Sequence, residues 1–141
     1  TNKAIVNNIK KNSVKEFVTK PNVHDMLSVF YFLRNNYSLD QIKKSKDLSV
    51  DMFFDSENYE FKMKFLGIET INTKFGKIKC IKLRPFVQSG RVFKEKESLT
   101  LWISADKNKI PIRIKADLVV GSIRVDLDAF SGLNHPFEIN F

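Results

Sequence analysis

The stretch VDMFFDSENYEFKMKF, residues 50–65, decides the fold. On both sides of a turn-like tetrapeptide, residues 55–58, apolar residues alternate with other residue types. Such alternation is typical of half-buried β-strands, because successive side chains point to opposite faces of a sheet. Placing Phe54 opposite Tyr59 puts both apolar sets on one face. We therefore predict a hairpin closed by a four-residue loop.

Strand-like patterns continue to the end of the chain. They predict strands over residues 68–73 and 78–84, a short one over 91–94, a hairpin of 98–104 with 110–116, and a last strand over 123–129. Two weaker candidates lie near residues 4–6 and 14–18. Gly76 is expected to take a positive φ in its turn, and Gly121 marks the start of the last strand. Consecutive strands with short loops favour an antiparallel meander.

The hairpin of residues 98–116 has a predicted register. Ile103 is expected opposite Ile112, which places Trp102 opposite Arg113 within cation–π reach on the other face. Pro111 cannot donate a hydrogen bond, so it requires an edge, a bulge or a non-hydrogen-bonded position.

One good helix is predicted, over residues 23–37. Pro21 and Asn22 supply a start signal, and Asp25 follows Asn22 by three residues, as in a capping box. Apolar side chains fill a broad arc of the helix, which must therefore be widely covered. Two residues break this pattern: Arg34 lies within the apolar arc, and Phe32 lies in the polar stripe.

We therefore expect a mainly β fold, in which an antiparallel meander forms a strongly curved sheet or partial barrel packed on one α-helix. At 141 residues the chain is expected to be a single domain.

Composition excludes several functions. The net charge is +8, but lysines alternate with apolar residues, as on the solvent-exposed face of half-buried strands, and this distribution argues against nucleic-acid binding. The sequence contains no run of 18 apolar residues, so we predict no transmembrane helix. Cys80 is the only cysteine, and His24 and His135 lack ligand spacing, so we predict no disulfide, metal site or cofactor. We assign no catalytic residue.

Arg34 is the residue whose position most needs an explanation. A guanidinium on the packed side of a helix keeps its charge and therefore needs a carboxylate or several carbonyls as partners. Three interpretations stay open: internal structural pairing, snorkelling to water, and contact with an anionic ligand group inside the curled sheet. Phe32, with Tyr31 and Trp102, either lines an exposed aromatic surface for a ligand or fills the core.

A family resemblance is carried by several blocks of the sequence. Residues 23–34 resemble the D-x-x-S-x-x-Y-x-x-R helix of a family of exported bacterial proteins that carry the domain of unknown function 3108. Later blocks agree with it: residues 65–67 with 75–77, residues 101–104 with Asp106 and 110–114, and residues 120–123. The resemblance implies a secreted or envelope protein built mainly of antiparallel strands, and it brings no activity or catalytic residues. Because members usually have further strand-like sequence before the helix, it also implies that this chain is the C-terminal part of a longer exported protein.

The leading functional hypothesis is a non-enzymatic binding module of the periplasm or cell envelope, whose ligand is an apolar or amphiphilic molecule, such as a lipid, or a partner chain. The alternative is a structural domain that forms homo-oligomers by pairing an open strand edge. A less favoured third interpretation, a glycan-acting hydrolase, rests only on the neighbouring carboxylates of Asp126 and Asp128.

Overall fold

A computed structural model of the chain describes residues 2–25, 27–45, 47–86 and 98–139. Strands dominate these residues, and they form two antiparallel sheets. A two-stranded sheet contains β1 (Lys3–Asn8) and β2 (Ser13–Val18), joined by a short 3-10 helix, Ile9–Lys11. Both weak N-terminal strand candidates are thus confirmed. The predicted strand over residues 91–94 lies outside the described residues.

The main sheet has six strands in sequence order: β3 (Asp47–Phe54), β4 (Glu57–Thr73), β5 (Gly76–Pro85), β6 (Leu99–Ser104), β7 (Pro111–Asp117) and β8 (Ser122–Asp126). Every neighbouring pair is antiparallel, as a meander requires. The first and last strands do not pair with each other, so the sheet is open rather than closed.

The first hairpin of this sheet is confirmed, but its predicted register is wrong by two residues. Met52, not Phe54, lies opposite Tyr59. The reason is the turn: Asp55 and Ser56 both take positive φ, 49° and 68°, which makes a two-residue connection of the type that matches strand twist. Because the observed register differs from the predicted one by an even number of residues, the apolar residues of both strands still share one face.

Two bulges move residues between the faces of the sheet. In β4 the pairing shifts between Phe65 and Gly67, so Met63 and Ile71 face opposite sides although both are odd-numbered. A second shift, between Trp102 and Ile103, lies beside Pro111.

The bulge beside Pro111 changes the predicted register of its hairpin. Ile103 therefore lies opposite Pro111 and not Ile112, although Trp102 does lie opposite Arg113. As a result Ile112 is buried on the face opposite to the predicted one. A bulge is one of the environments that the missing N–H of Pro111 called for.

The helical region differs from the prediction of a single helix over residues 23–37. The helix α1 is shorter, Ser28–Asn36, and a second helix, α2 (Leu39–Lys44), follows in a stretch for which no helix was predicted. Ser38 and Gln41 form the capping box that starts α2. Neither α1 nor α2 has the length to cross a membrane, and no described helix does.

The start of α1 explains its shorter length. Asn22 is not the cap but a turn residue with a φ of 55°. His24 then continues as extended chain, because its N–H donates to the Asp51 carbonyl and its own carbonyl accepts from the Phe53 N–H, at 3.0 and 2.9 Å. Asp25 and Ser28 form a reciprocal pair in the turn that precedes α1: the Asp25 carboxylate accepts the Ser28 N–H at 2.8 Å, and the Ser28 hydroxyl accepts the Asp25 N–H at 2.9 Å.

Apolar residues are buried on both faces of the main sheet. We call the face that carries α1 and α2 the front face and the opposite one the back face. The front core joins both helices to β3, β4, β5 and β6, and contains Val29, Leu33, Ile42, Leu48, Val50, Met52, Phe61, Met63, Ile81, Leu83, Leu101 and Ile103. The back core contains Ile71, Ile78, Cys80, Trp102, Ile110 and Ile112.

The C-terminal segment beyond β8 covers the back core. Leu127, Leu133 and Phe137 pack against it, and the Phe130 ring lies between those of Phe75 and Phe137, with centroids 5.3 and 4.7 Å apart. This C-terminal segment has no regular secondary structure, so the alternation of residue types in the sequence does not predict its position. The last strand is accordingly shorter than predicted and ends at Asp126.

The glycines at the two predicted positions behave as expected. Gly76 has a φ of 126° at the first residue of β5, where it pairs with Thr73 across a two-residue turn. Gly121 has a φ of 79° immediately before β8. Side chains other than glycine rarely adopt either conformation.

Candidate functional site

An apolar groove of about 300 Å³ lies between α1 and the front face of the main sheet. Its walls come from α1, α2 and the five strands β3 to β7. Eleven of its lining residues are apolar: Leu27, Phe30, Leu33, Ile42, Leu48, Met63, Leu83, Leu101, Ile103, Pro111 and Ile114. The other three are Tyr31, Arg34 and Lys109. The volume is at the lower end of the range found for small-molecule pockets.

The groove exists because the sheet is wider than the helices that cover it. The side chains of Leu101, Ile114 and Val125 lie side by side on the front face of β6, β7 and β8. Leu101 is buried, whereas Ile114 and Val125 are 37% and 57% exposed. The cover thus ends near β7, and the groove opens there. Both apolar side chains of β8, Ile123 and Val125, are therefore exposed, although their alternation is typical of a half-buried strand.

Arg34 points into this groove from the last turn of α1. Its Nε–H donates to the backbone carbonyl of Asn108 at 2.6 Å. Within the described residues it makes no ion pair with a carboxylate, so the internal pairing that the structure provides uses a carbonyl. The terminal guanidinium nitrogens make no hydrogen bond to any described group.

Lys109 brings a second cation to the same groove. Its ammonium donates to the carbonyl of Tyr37, the residue that ends α1, at 2.9 Å. Partial burial and, secondarily, the neighbouring Arg34 charge lower the pKa of the Lys109 amine. The protein therefore holds two like charges close together beside an apolar surface.

A buried carboxylate positions the loop that carries Lys109. The Asp106 Oδ1 atom accepts hydrogen bonds from the Ser104 hydroxyl and from the N–H groups of Asn108 and Lys109, at 2.7, 2.9 and 3.1 Å. These bonds close a tight turn in which Lys109 takes a φ of 47°. The turn thus fixes both the Asn108 carbonyl, which Arg34 contacts, and the Lys109 backbone.

The four residues proposed from sequence as ligand contacts separate into two groups. Tyr31 and Arg34 line the groove one helical turn apart. Phe32 does not line it; its ring lies 4.5 Å from that of His24. Trp102 is buried on the back face, where its indole N–H donates to Glu69 at 3.1 Å.

Sequence reasoning missed Lys109 and the apolar residues of β5 to β7 as groove residues. Lys109 follows a polar turn, where a lysine is ordinary, so no local signal distinguishes it. The predicted cation–π partner of Trp102 also differs: Lys82 lies over the ring at 5.3 Å, whereas Arg113 pairs with Asp126.

A second, polar cavity of about 410 Å³ lies at the far end of the sheet and is lined by both residues of the proposed carboxylate pair. Asp126 pairs with Arg113 and Arg124, and Asp128 pairs with Lys74. The hydrogen bond from Arg113 lowers the pKa of Asp126. A glycosidase pair combines an ionised carboxylate with a carboxylic acid that stays protonated near neutral pH, and the lowered pKa of Asp126 suits only the ionised member.

The remaining reactive groups among the described residues do not form a site. Burial raises the pKa of the Cys80 thiol to about 12, which suppresses the nucleophilic thiolate. Over the ranges that the structure describes, no group of three or more histidine, cysteine, aspartate or glutamate side chains could hold a metal ion.

Comparisons with known proteins identify the family of the chain and give no activity for it. The model of one family, described as protein of unknown function (DUF3108), matches residues 1–128. Neither the search of curated proteins nor the search of solved structures gave a significant match. The match extends N-terminally beyond the blocks that carry the resemblance in sequence and covers nearly the whole chain. The chain therefore belongs to the DUF3108 family of proteins of unknown function.

Proposed function

We propose that this protein binds the apolar part of a small amphiphilic molecule in the groove between α1 and the front face of the sheet. The observation that supports this proposal is the groove itself. Apolar side chains from seven helices and strands converge on it, while one side stays open beyond Leu101. Apolar surface left accessible in this way is characteristic of ligand grooves and interaction sites.

Burial of apolar surface supplies the binding free energy in this proposal. Each square ångström of apolar surface removed from water contributes roughly 25 cal/mol, on the ligand as on the protein. The groove needs no reacting group, and the surrounding residues offer none: its polar members are a phenol, a guanidinium and an ammonium. Binding or carriage, rather than catalysis, is the function that this lining suits.

A neutral fluorescent probe, N-phenyl-1-naphthylamine, tests the proposal. The matched variants are Ile114→Glu and Ile123→Glu, which place a carboxylate on the front face of adjacent strands at positions that are 37% and 52% exposed. Ile114 lines the groove and Ile123 does not. We expect saturable binding by the unsubstituted protein, at least a tenfold loss in Ile114→Glu and little change in Ile123→Glu. Absent binding, or an equal loss in both variants, would contradict the proposal.

A second candidate function, assembly with another copy through a strand edge, is favoured by β8. All five residues of β8 are exposed, and its outer edge has no strand beside it in the described part of the chain. The opposite edge, on β3, is partly occupied by the bridge from His24. An open edge of this kind is a template for antiparallel pairing.

Sedimentation of the protein and of Arg124→Pro tests this candidate. Leu127 donates its N–H to the Ile112 carbonyl, so the alternating ladder directs the Arg124 N–H outward. Proline at this position removes an edge donor without removing a bond within the sheet. Assembly through β8 predicts an oligomer that Arg124→Pro converts to monomer; a monomeric parent protein would refute it.

Location in the periplasm or cell envelope is also a proposal. The exported character of the family that the sequence resembles supports it. Fractionation of cells that express the natural gene, with the protein followed by antibody, tests it: we expect the protein outside the cytoplasm, and a purely cytoplasmic protein would refute the proposal.

A further inference from the structure

We propose that the groove selects amphiphiles with an anionic head group, which Arg34 and Lys109 bind together while the chain of the ligand lies against the apolar wall. This inference rests on the proposed function and adds the chemistry of the ligand. The occupant to which it commits is a single-chain lipid with a carboxylate head.

Arg34 and Lys109 each have more hydrogen-bond donors than the described residues accept. A guanidinium has five N–H donors, and the one hydrogen bond that Arg34 makes to a described group uses Nε. An ammonium has three, and Lys109 places one on the Tyr37 carbonyl. The planar terminal nitrogens of an arginine match the two oxygens of a carboxylate.

Charge points to the same head group. Arg34 and Lys109 lie close enough for one charge to disfavour the other, and neither has a carboxylate partner among the residues that the structure describes. Nine other described lysine and arginine side chains, Lys20 and Arg113 among them, have an acidic partner within 4 Å. An anion between Arg34 and Lys109 would relieve their repulsion, and the partial burial of Lys109 would strengthen the attraction relative to water.

The apolar wall distinguishes a lipid from a small free anion. Lining residues such as Leu33, Leu83 and Ile103 lie beside the two cations and offer no hydrogen bond to an anion. Inorganic phosphate would leave this surface in water, whereas a hydrocarbon chain would cover it. The head group therefore supplies selectivity, and the chain supplies much of the affinity.

Calorimetric titration with three probes tests this inference: dodecanoate, dodecan-1-ol and inorganic phosphate, each below the concentration at which it aggregates. We expect dodecanoate to bind about tenfold more tightly than dodecan-1-ol, as a charge-assisted hydrogen-bonded head would give. Phosphate is expected to bind far more weakly than dodecanoate. Phosphate binding as tight as that of dodecanoate would mean a free-anion site and would overturn the inference.

Charge variants assign the effect to the groove. Arg34→Met and Lys109→Met are each expected to remove the preference for dodecanoate while keeping dodecan-1-ol binding. Lys107→Met is the matched control, because Lys107 lies in the same turn, is exposed and does not line the groove. Arg34→Lys keeps the charge but not the planar pair of donors, so we expect it to retain part of the preference that Arg34→Met loses.

The outcomes separate the two proposals. Equal affinity for dodecanoate and dodecan-1-ol, unchanged by the variants, would overturn the inference about the head group and leave the groove as an apolar binding site. Failure of both lipids to bind would overturn the proposed function together with it. A preference for dodecanoate that survives in both methionine variants would place the anion elsewhere and would equally overturn the inference.

Discussion

Asn108→Ala is the substitution whose consequence follows most directly from the contacts in the structure. Asn108 is 3% exposed, and its side chain makes three hydrogen bonds to the C-terminal segment. Its Oδ1 accepts the His135 N–H at 3.1 Å, and its Nδ2 donates to the carbonyls of His135 and Pro136 at 2.9 and 3.1 Å. Alanine removes all three and leaves the Asn108 carbonyl, which Arg34 contacts, in place.

The expected loss of stability is about 2 kcal/mol. Each hydrogen bond makes a net contribution of roughly 0.5–1.5 kcal/mol, which gives a range of about 1.5–4.5 kcal/mol for the three. The lower part of that range applies because His135 and Pro136 are exposed, so water can form hydrogen bonds with the backbone groups that lose Asn108 as a partner. The released segment also uncovers some of the back core, which keeps the loss above 1 kcal/mol.

Urea unfolding measures this loss, with Asn134→Ala as the control. Asn134 lies in the same segment, is exposed and makes no hydrogen bond through its side chain to any described group. We expect it to change the free energy of unfolding by less than about 0.5 kcal/mol. A loss below about 0.5 kcal/mol in Asn108→Ala itself would refute the inference that Asn108 holds the C-terminal segment on the sheet.

Two further predictions concern ionisable groups. Cys80 is fully buried and its thiol pKa is raised to about 12, so we expect alkylation by iodoacetamide at pH 8 only after unfolding; rapid labelling of the folded protein would contradict its burial. The Arg113 hydrogen bond lowers the pKa of Asp126 from its ordinary 3.8, so its stabilisation is present above that value and is lost as pH falls through the lower, folded pKa. Arg113→Met should therefore reduce stability at pH 7 more than at pH 2 in parallel urea titrations, and an equal reduction at both would contradict the pairing.

The sequence predicted the meander because alternation is a local property. The strands of the main sheet and the turn glycines could be inferred from neighbours within a few positions. The helix start could not, because His24 continues as extended chain that bonds to β3 instead of following a cap at Asn22. The register of β3 and β4 could not, because it depends on two non-glycine residues, Asp55 and Ser56, that adopt positive φ.

The candidate site was only half accessible from sequence. Arg34 could be selected from the sequence because it is a charged residue within the apolar arc of the helix. Tyr31 could be selected as an aromatic residue of the same helix, and both line the groove. Lys109 and Ile114 belong to a loop and a strand more than 70 residues away, and the sheet topology brings them to the helix. The bulge at Trp102 places Ile112 on the back face, and the irregular C-terminal segment covers that face; neither feature leaves a periodic trace in the sequence.

The most direct test of binding in the groove is an NMR titration of the protein with dodecanoate, followed by methyl and indole resonances. We predict saturable shifts at the methyl groups of Leu33, Leu83 and Ile114, which line the groove, and none at the indole N–H of Trp102 on the back face. Shifts centred on Trp102 and the C-terminal segment, with the methyl groups of the groove unchanged, would contradict the account.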